Sequence, residues 1–251
     1  HPMQRDTSTN SAGRDPQAAN LALLAPSTGE DASATQGRVA PSTRSVVILG
    51  ARGRLGSALV DAFSSDGWKV SAVARGSAPM LEGRAGVHCI VADVQDVETI
   101  AKFASGAEVV VHAVNPLYTR WATEVMPSAR AAMQLASRLG ARFMLPGNVY
   151  NFGAAMPGQI VEDAPQHPTT RKGNIRVALE QEIEQRCRRG QLRATVLRAG
   201  DFFGCGPGSW FDQAIVASLR SGKVVYPSRL DIPHAWAYVP DLAKTFVQLA
   251  N

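Results

Sequence analysis

The chain has 251 residues, 45% of them hydrophobic, and a formal net charge of +5. This length suffices for one sizeable core, and no apolar run reaches the roughly 20 residues that span a bilayer. The three cysteines are odd in number and lack metal-ligand spacing, which argues against a disulfide framework. We therefore expect a reduced, cytoplasmic protein with no membrane partner and no metal site.

The positive charge raises the question of a nucleic-acid partner. Segment 171–193 carries seven basic and three acidic residues, but they form no long block, and aromatic residues make up only 6% of the chain. Charge runs of this kind usually form solvated helix faces. Nucleic acid is therefore not an expected partner.

Residues 1–44 differ in composition from the rest of the chain. They are rich in Ser, Thr, Ala, Gln, Gly and Pro and show no sustained periodicity, a pattern typical of disorder. The sequence predicts a disordered N-terminal extension over 1–44 and a folded domain over 45–251.

From Ser45 onward, apolar runs of strand length alternate with segments of helical periodicity. Strands are predicted at 46–49, 68–74, 87–92, 108–113, 142–145 and 192–197. Helices are predicted at 55–65, 97–105, 126–139 and 175–189. On the last helix, the pairs Arg176–Glu180 and Glu184–Arg188 are expected on the exposed side. The alternation predicts an α/β fold, a Rossmann-type doubly wound parallel sheet.

The turn after the first strand carries the strongest functional signal. The strand runs into Gly50, Gly53 and Gly56, and a helical pattern follows at once. Glycines permit a tight turn and let the backbone approach a pyrophosphate, which the free N–H groups and the dipole of the helix N-terminus stabilise. The sequence therefore predicts a dinucleotide-binding protein.

Five motifs extend this signal along the chain. They are a GxxGxxG-like loop over 50–56, Ala92-Asp93-Val94, the segment 111–115, the segment 197–204 with Asp201 where asparagine is usual, and the segment 238–243. In this order they resemble the extended short-chain dehydrogenase/reductase superfamily, the group of NAD-dependent epimerases and dehydratases. The resemblance implies a Rossmann domain with substrate-cleft elements at about 200–240.

The resemblance also implies which residues contact a cofactor. In the loop they are Gly50, Arg52, Gly53, Arg54, Leu55 and Gly56. Asp93 and Val94 would contact the adenine, although a cap or turn role is an equal alternative for Asp93. Ala113, Val114 and Asn115 would pass beneath the cofactor.

Two expectations about assembly follow from the same resemblance. Members of the superfamily often dimerise through the helices that correspond to 126–139 and 175–189, so a homodimer is expected. The chain ends only about ten residues after Asp241, so the C-terminal substrate-binding part is expected to be small or truncated.

The chain departs from the superfamily at the catalytic pair. In place of Tyr-x-x-x-Lys it has Lys172 and Arg176, and none of its tyrosines is followed by lysine four residues later. This pattern resembles the atypical branch of the superfamily. Lys172 would donate a proton only with a pKa lowered by burial, whereas Arg176 stays charged and would hold the ribose or a substrate anion.

Two residues after the fifth predicted strand are further catalytic candidates. Tyr150 follows at the carboxyl edge of the sheet, where ligands bind in such folds, so it is the best substitute acid. Packing under the cofactor is its alternative role. Asn148 would either hydrogen-bond a substrate carbonyl or form a turn.

The end of the second predicted strand bears on the choice of cofactor. An acidic residue there would bind the ribose 2′-hydroxyl and select NAD, but the sequence has Arg75 and no acid from 67 to 81. Arg75 suits a 2′-phosphate, and Arg52 and Arg54 would add to that positive pocket. Solvated surface arginines are the alternative. NADP is the expected cofactor, ahead of NAD.

The sequence thus predicts an NADP-dependent oxidoreductase or epimerase/dehydratase-like enzyme that acts on a small carbonyl or sugar-like substrate. The alternative is a non-catalytic protein that senses NADP(H) or acts as a scaffold. Outside the main motifs, His112 is expected in the core, His234 is expected to pack against aromatic residues, and Asp241 is expected to cap a helix.

Overall fold

A computed structural model describes residues 44–251. The predicted disorder of 1–44 therefore lies outside the described residues, with one exception. Arg44 belongs to the fold, because its carbonyl accepts a 2.9 Å hydrogen bond from the Lys69 N–H and its guanidinium lies 4.7 Å from the Trp68 ring centre.

Strands and helices alternate along the described chain, as predicted. The strands are β1 Ser45–Leu49, β2 Lys69–Ala74, β3 Val87–Val91, β4 Val109–His112, β5 Arg142–Asn148, β6 Arg193–Ala199, β7 Asp201–Phe203 and β8 Trp236–Tyr238. The helices are α1 Arg54–Ser65, α2 Val97–Phe103, α3 Trp121–Leu139, α4 Arg171–Arg188 and α5 Val239–Ala250.

Six strands form one parallel sheet in the order β3-β2-β1-β4-β5-β6. Val47 of β1 lies opposite Ser71 of β2 and Val110 of β4. Helices α1 and α5 cover one face, and α2, α3 and α4 cover the other. This confirms the Rossmann-type doubly wound sheet. The strand order reverses beside β1, so a crevice opens there at the carboxyl ends of β1 and β4.

A second, two-stranded parallel sheet pairs β7 with β8. It follows β6 after a corner at Gly200, where an added Cβ would lie 2.0 Å from the Ala235 carbonyl oxygen. Only glycine fits such a close approach of two backbones. The corner therefore places Asp201 at the carboxyl end of the main sheet.

Three elements differ by three or more residues from their predicted bounds. Helix α4 begins at Arg171 rather than at 175, because the Thr170 hydroxyl caps it by accepting from the Gly173 N–H at 3.0 Å. Strand β5 extends to Asn148 because its last three residues pair with β6. Helix α3 begins at Trp121 and continues through Pro127.

Helix α4 also corrects a prediction about its exposed side. Glu184 and Arg188 form an exposed pair, as expected. Glu180 is instead buried and pairs with Arg198 of β6 at 2.7 Å, while Arg176 turns toward the sheet edge. The two residues lie on the inward side of the helix because β5 and β6 end in polar groups that receive them.

Helices α3 and α4 lie side by side and are joined by an ion pair between Arg130 and Glu182 at 2.9 Å. Within residues 44–251, no helix combines the length and the apolar character that a membrane crossing demands.

Candidate functional site

A cavity of about 350 Å³ opens at the carboxyl edge of the sheet. The glycine loop, residues 112–116 after β4 and residues 145–150 of β5 and its following turn form its walls. Arg176 of α4 and the β6–β7 corner at 199–202 complete it. The topology therefore brings the predicted cofactor loop and the predicted catalytic segment to one space.

The glycine loop is held by close backbone contacts. Gly50 has a φ of +82°, and a Cβ on it would lie 3.0 Å from the backbone of Ala113. A Cβ on Gly56 would lie 2.1 Å from the Gly50 carbonyl oxygen. Both positions require glycine, so β1 turns tightly into α1 and presents its backbone to the cavity.

The first turn of α1 suits an anion. Gly53 is the N-cap and provides no side-chain cap, and the first turn contains no acidic residue. Gly53, Arg54 and Leu55 line the cavity. Uncapped N–H groups and the helix dipole favour a phosphate at this position. The cradle fits the pyrophosphate of a dinucleotide.

Two of the three predicted arginines lie together at the end of β2. Arg75 is exposed directly after β2, and Arg52 places its Nη1 atom 3.1 Å from where a Cβ of Gly76 would be. Arg54 instead lines the cavity, and its Nη1 atom lies 3.9 Å from a carboxylate oxygen of Asp212. The structure does not add Arg54 to the pocket at β2.

The predicted adenine-contacting segment forms a turn after β3. Asp93 accepts a 2.9 Å hydrogen bond from the Gln95 N–H, whereas Asp96 caps α2. Val94 packs against the core. The structure shows the turn role of Asp93, and its adenine contact stays a prediction.

Asn148 and Tyr150 both line the cavity. The side-chain oxygen Oδ1 of Asn148 accepts a 3.0 Å hydrogen bond from the Tyr150 backbone N–H, so the residue forms a turn. Its side-chain nitrogen Nδ2 has no protein acceptor within residues 44–251. Burial raises the pKa of the half-buried Tyr150, and the neighbouring Tyr118 raises it further. Tyr150 is therefore a neutral phenol.

Lys172 and Arg176 occupy different surroundings. Lys172 does not line the cavity, and its Nζ atom lies 3.9 Å from the centre of the Tyr118 ring. Arg176 does line the cavity, with its guanidinium 4.8 Å from the Trp121 ring centre. Its Nη1 atom donates a long 3.4 Å hydrogen bond to the Pro146 carbonyl. Burial lowers the pKa of Arg176.

His112 combines a core position with a place at the cavity floor. It is buried, as predicted, and its ring stacks near Phe143 at 6.3 Å between centroids. Burial, and next the charge of Arg176, lower the pKa of His112 to about 3. The imidazole is therefore neutral at ordinary pH and does not take up a second proton.

Several aromatic residues of the site belong to none of the five sequence motifs. Tyr118, Trp121 and Trp210 line the cavity. Tyr118 and Trp121 follow β4, where the superfamily resemblance points only to residues up to 115. Their position after a parallel strand is the one signal that would have singled them out.

Asp201 lines the cavity and is hydrogen-bonded to polar side chains beside the second sheet. It accepts from His234 Nε2 at 2.8 Å, and His234 Nδ1 lies 3.0 Å from the Tyr226 hydroxyl. The His234 ring stacks on Trp236 at 4.4 Å between centroids, which confirms the predicted aromatic packing. Asp241 corrects a prediction: α5 begins at Val239, so Asp241 lies in the first turn and not at the cap.

The comparisons with known proteins agree with this architecture. Residues 46–251 match the model of the NAD dependent epimerase/dehydratase family. The comparison with curated proteins finds no match. An L-threonine dehydrogenase from Clostridium difficile is 18% identical over 83% of this chain and 71% of its own, with a TM-score of 0.70.

Two further solved structures are similar in fold, and both were determined with NAD. The UDP-glucose 4-epimerase of Brucella ovis is 17% identical over 83% of this chain and 73% of its own, with a TM-score of 0.69. The dTDP-glucose 4,6-dehydratase of Bacillus anthracis is 14% identical over 83% of this chain and 72% of its own, with a TM-score of 0.69. Since the family model spans far more than half of the sequence, the chain belongs to the NAD-dependent epimerase/dehydratase family.

Proposed function

We propose that this protein binds NADP(H) and acts as an oxidoreductase or epimerase/dehydratase-like enzyme on a small carbonyl or sugar-like substrate. One observation carries the proposal: the glycine loop and Tyr150 line the same cavity. A dinucleotide laid on the loop therefore has its reactive end within reach of a phenol that can transfer a proton. Family membership supports the nicotinamide part of the proposal.

The backbone around the loop supports binding of the dinucleotide. Side chains at Gly50 and Gly56 would collide with neighbouring backbone atoms, so the loop stays bare beside the uncapped start of α1. Gly53, Arg54 and Leu55 would hold the pyrophosphate, and residues 113–115 would lie along the nicotinamide half.

The two arginines beside β2 support NADP over NAD. Arg52 and Arg75 lie at the strand end where an acidic residue would bind a free 2′-hydroxyl. Guanidinium groups pair strongly with phosphate. A 2′-phosphate between them would gain these contacts, whereas NAD would leave both arginines in solvent.

The chemistry on the protein side centres on Tyr150. When bound, the nicotinamide supplies or accepts a hydride. The raised pKa of Tyr150 keeps the phenol protonated, so it would hold a proton next to a substrate carbonyl oxygen. The amide nitrogen of Asn148 would hold the same oxygen.

A non-catalytic NADP(H) sensor is the second candidate, and one observation favours it. Lys172, which takes the place of the superfamily tyrosine, does not line the cavity. A protein of that kind would bind NADPH but show no turnover with any carbonyl compound. The Tyr150→Phe comparison below separates the two candidates.

The first test is a fluorescence titration of the purified protein with NADPH and with NADH. We expect micromolar binding of NADPH, weaker binding of NADH, and a loss confined to NADPH in Arg75→Ala. Arg188→Ala, an exposed arginine on α4, is the matched control. Equal affinity for both nucleotides would contradict the NADP assignment, and no binding of either would contradict the proposed function.

A screen of aldehydes, ketones and nucleotide sugars with NADPH then tests turnover. Activity that falls in Tyr150→Phe while NADPH affinity stays unchanged would support the catalytic role of Tyr150. Unchanged activity in that variant would remove Tyr150 from the mechanism.

A further inference from the structure

We infer that Arg176 anchors the carboxylate of the substrate, and that the substrate is therefore a small 2-oxo or 2-hydroxy acid. This names the substrate class of the proposed reaction and rests on it for turnover. The anion site itself rests only on Arg176 and its surroundings.

The guanidinium of Arg176 has more hydrogen-bond donors than there are protein acceptors around it in the described residues. An arginine offers five N–H groups, yet the hydrogen bond to the Pro146 carbonyl, at 3.4 Å, is the one that Arg176 makes within residues 44–251. Its Nε atom is buried without an acceptor in that part of the chain. A buried donor without a partner costs free energy that a ligand acceptor would recover.

The acids near the cavity make their hydrogen bonds with residues other than Arg176. Asp201 accepts from His234 at 2.8 Å. Glu180 accepts two hydrogen bonds from Arg198, at 2.7 and 3.0 Å, through Oε2, and its Oε1 atom makes no hydrogen bond within residues 44–251. None of these carboxylates forms an ion pair with Arg176 in the described residues. The cavity thus holds a partly buried cation. The charge of Glu180 acts on it from a distance but no carboxylate hydrogen-bonds to it in the described residues, so its free donors are open to a ligand anion.

The cofactor does not supply that counter-ion well. Its phosphates belong to the uncapped start of α1 and to the arginines beside β2. A ribose hydroxyl at Arg176 would accept a hydrogen bond but would carry no charge. A carboxylate accepts two parallel hydrogen bonds from a guanidinium and neutralises it.

The groups around Arg176 fit the rest of a 2-oxo acid. The guanidinium of Arg176 lies over the Trp121 ring, with its central carbon 4.8 Å from the ring centre, in a cation–π contact. Tyr150, a neutral phenol, lines the same cavity and would donate to the adjacent carbonyl oxygen. A cavity of about 350 Å³ limits the ligand to a small molecule once the nicotinamide is in place.

The test is a calorimetric titration with oxamate, a stable analogue of a 2-oxo acid, and with ethyl oxamate as the neutral control. Both are run on the protein alone and with saturating NADPH. We expect saturable millimolar binding of oxamate and none of ethyl oxamate. Arg176→Met should weaken oxamate binding at least tenfold, and Arg188→Met, on the same helix but exposed, should not change it.

A second variant guards against misfolding. Arg176→Lys keeps a charge but loses the fork of donors, so oxamate should bind several-fold more weakly than to the wild type and more tightly than to Arg176→Met. Circular dichroism checks that both variants fold. Equal oxamate affinity in wild type and Arg176→Met would overturn the inference, as would equal binding of ethyl oxamate.

The outcomes separate this inference from the proposed function. If oxamate binds through Arg176 while NADPH does not bind at all, the anion site stands and the proposed function fails. If NADPH affinity falls in Arg176→Met and oxamate does not bind the wild type, Arg176 holds the ribose and the inference is wrong.

Discussion

The two sides of the cavity are built by different means. One is formed by residues 45–115, termed the first half, and the other by the longer segment 116–251, termed the second half. In the first half, β1 is almost entirely excluded from solvent, with 0% exposure from Val46 to Leu49. Backbone contacts set its loop, where a Cβ on Gly56 has no room. Close packing therefore allows few residue types at the positions of β1 and its loop.

The second half relies on polar side chains. Asn151, Gln166, Glu180 and Arg198 form a hydrogen-bonded chain behind the cavity. Its strand β6 is only partly buried along its length. Side-chain pairs can be exchanged without moving the backbone, so this half can change its chemistry while the fold remains. The departure from Tyr-x-x-x-Lys falls in this half.

The largest expected effect on stability comes from breaking the hydrogen-bonded chain of Asn151, Gln166, Glu180 and Arg198. Arg198→Met leaves Glu180, which is 8% exposed, without its cation. We expect a loss of about 4 kcal/mol in the free energy of unfolding, as for other buried pairs that lose one partner. Urea unfolding measures it. A loss under about 1 kcal/mol would mean that these buried hydrogen bonds contribute little to the stability of the second half.

His112, at the end of the first half, should make stability depend on pH. Its pKa is lowered to about 3 in the folded chain, from an ordinary 6.5. Below pH 6.5 the unfolded chain binds a proton that the folded chain does not, so stability falls as the pH falls. Over the interval from about pH 6.5 to about pH 4 this group contributes about 3 kcal/mol.

His112→Gln removes that titration. Unfolding free energies of wild type and variant, measured in buffers across the same interval, should diverge at neutral pH and converge toward acid. Parallel pH profiles would contradict the buried, neutral state of His112.

A side chain at Gly56 tests the steric fit of the first half. Gly56→Ala places a Cβ 2.1 Å from the Gly50 carbonyl, and we expect about 2 kcal/mol of lost stability from this overpacking. NADPH binding should weaken at least tenfold because the loop must shift. Gly158→Ala is the matched control, since nothing lies within 4 Å of its added Cβ. Equal behaviour of the two variants would show that the loop is not sterically constrained.

Substitution of Arg52 tests whether both arginines beside β2 contact the cofactor. Arg52→Ala should weaken NADPH binding about fivefold, close to 1 kcal/mol, and leave NADH binding unchanged. Fluorescence titration against Arg75→Ala and the double variant measures whether the two losses are independent. Equal losses for NADPH and NADH would place Arg52 away from the 2′-phosphate.

The smallest effect is expected for an exposed pair of the second half. Arg188→Met removes the partner of Glu184, and both side chains are more than half exposed. The change in unfolding free energy should stay within about 0.5 kcal/mol. Together with Arg198→Met it shows that burial, and not the presence of a salt bridge, makes the polar contacts of this half important.

Much of the fold could be predicted from the sequence because its signals are local. A continuous apolar run identifies β1, and glycine spacing identifies the turn into α1. The start of α4 was missed because its first turn carries Arg171 and Lys172, which show no apolar periodicity. A single hydroxyl cap at Thr170 sets that boundary.

The candidate site was predicted only in part. Tyr150 and Asn148 follow a strand, so topology alone places them at the ligand edge. Arg176 and Glu180 looked like an exposed i,i+4 pair, yet each turns inward to a different partner. Spacing along a helix cannot say which polar residue finds a buried acceptor, because that acceptor comes from a distant strand.

The sequence by itself determined the parallel sheet, the glycine cradle and the absence of an acid at the end of β2, since each depends on residues close together in the chain. Only the tertiary structure decided that Lys172 lies outside the cavity, that Arg54 faces Asp212, and that Arg176 is a partly buried cation short of acceptors. Those facts depend on which groups from separate elements meet, and on how far their meeting place is removed from water.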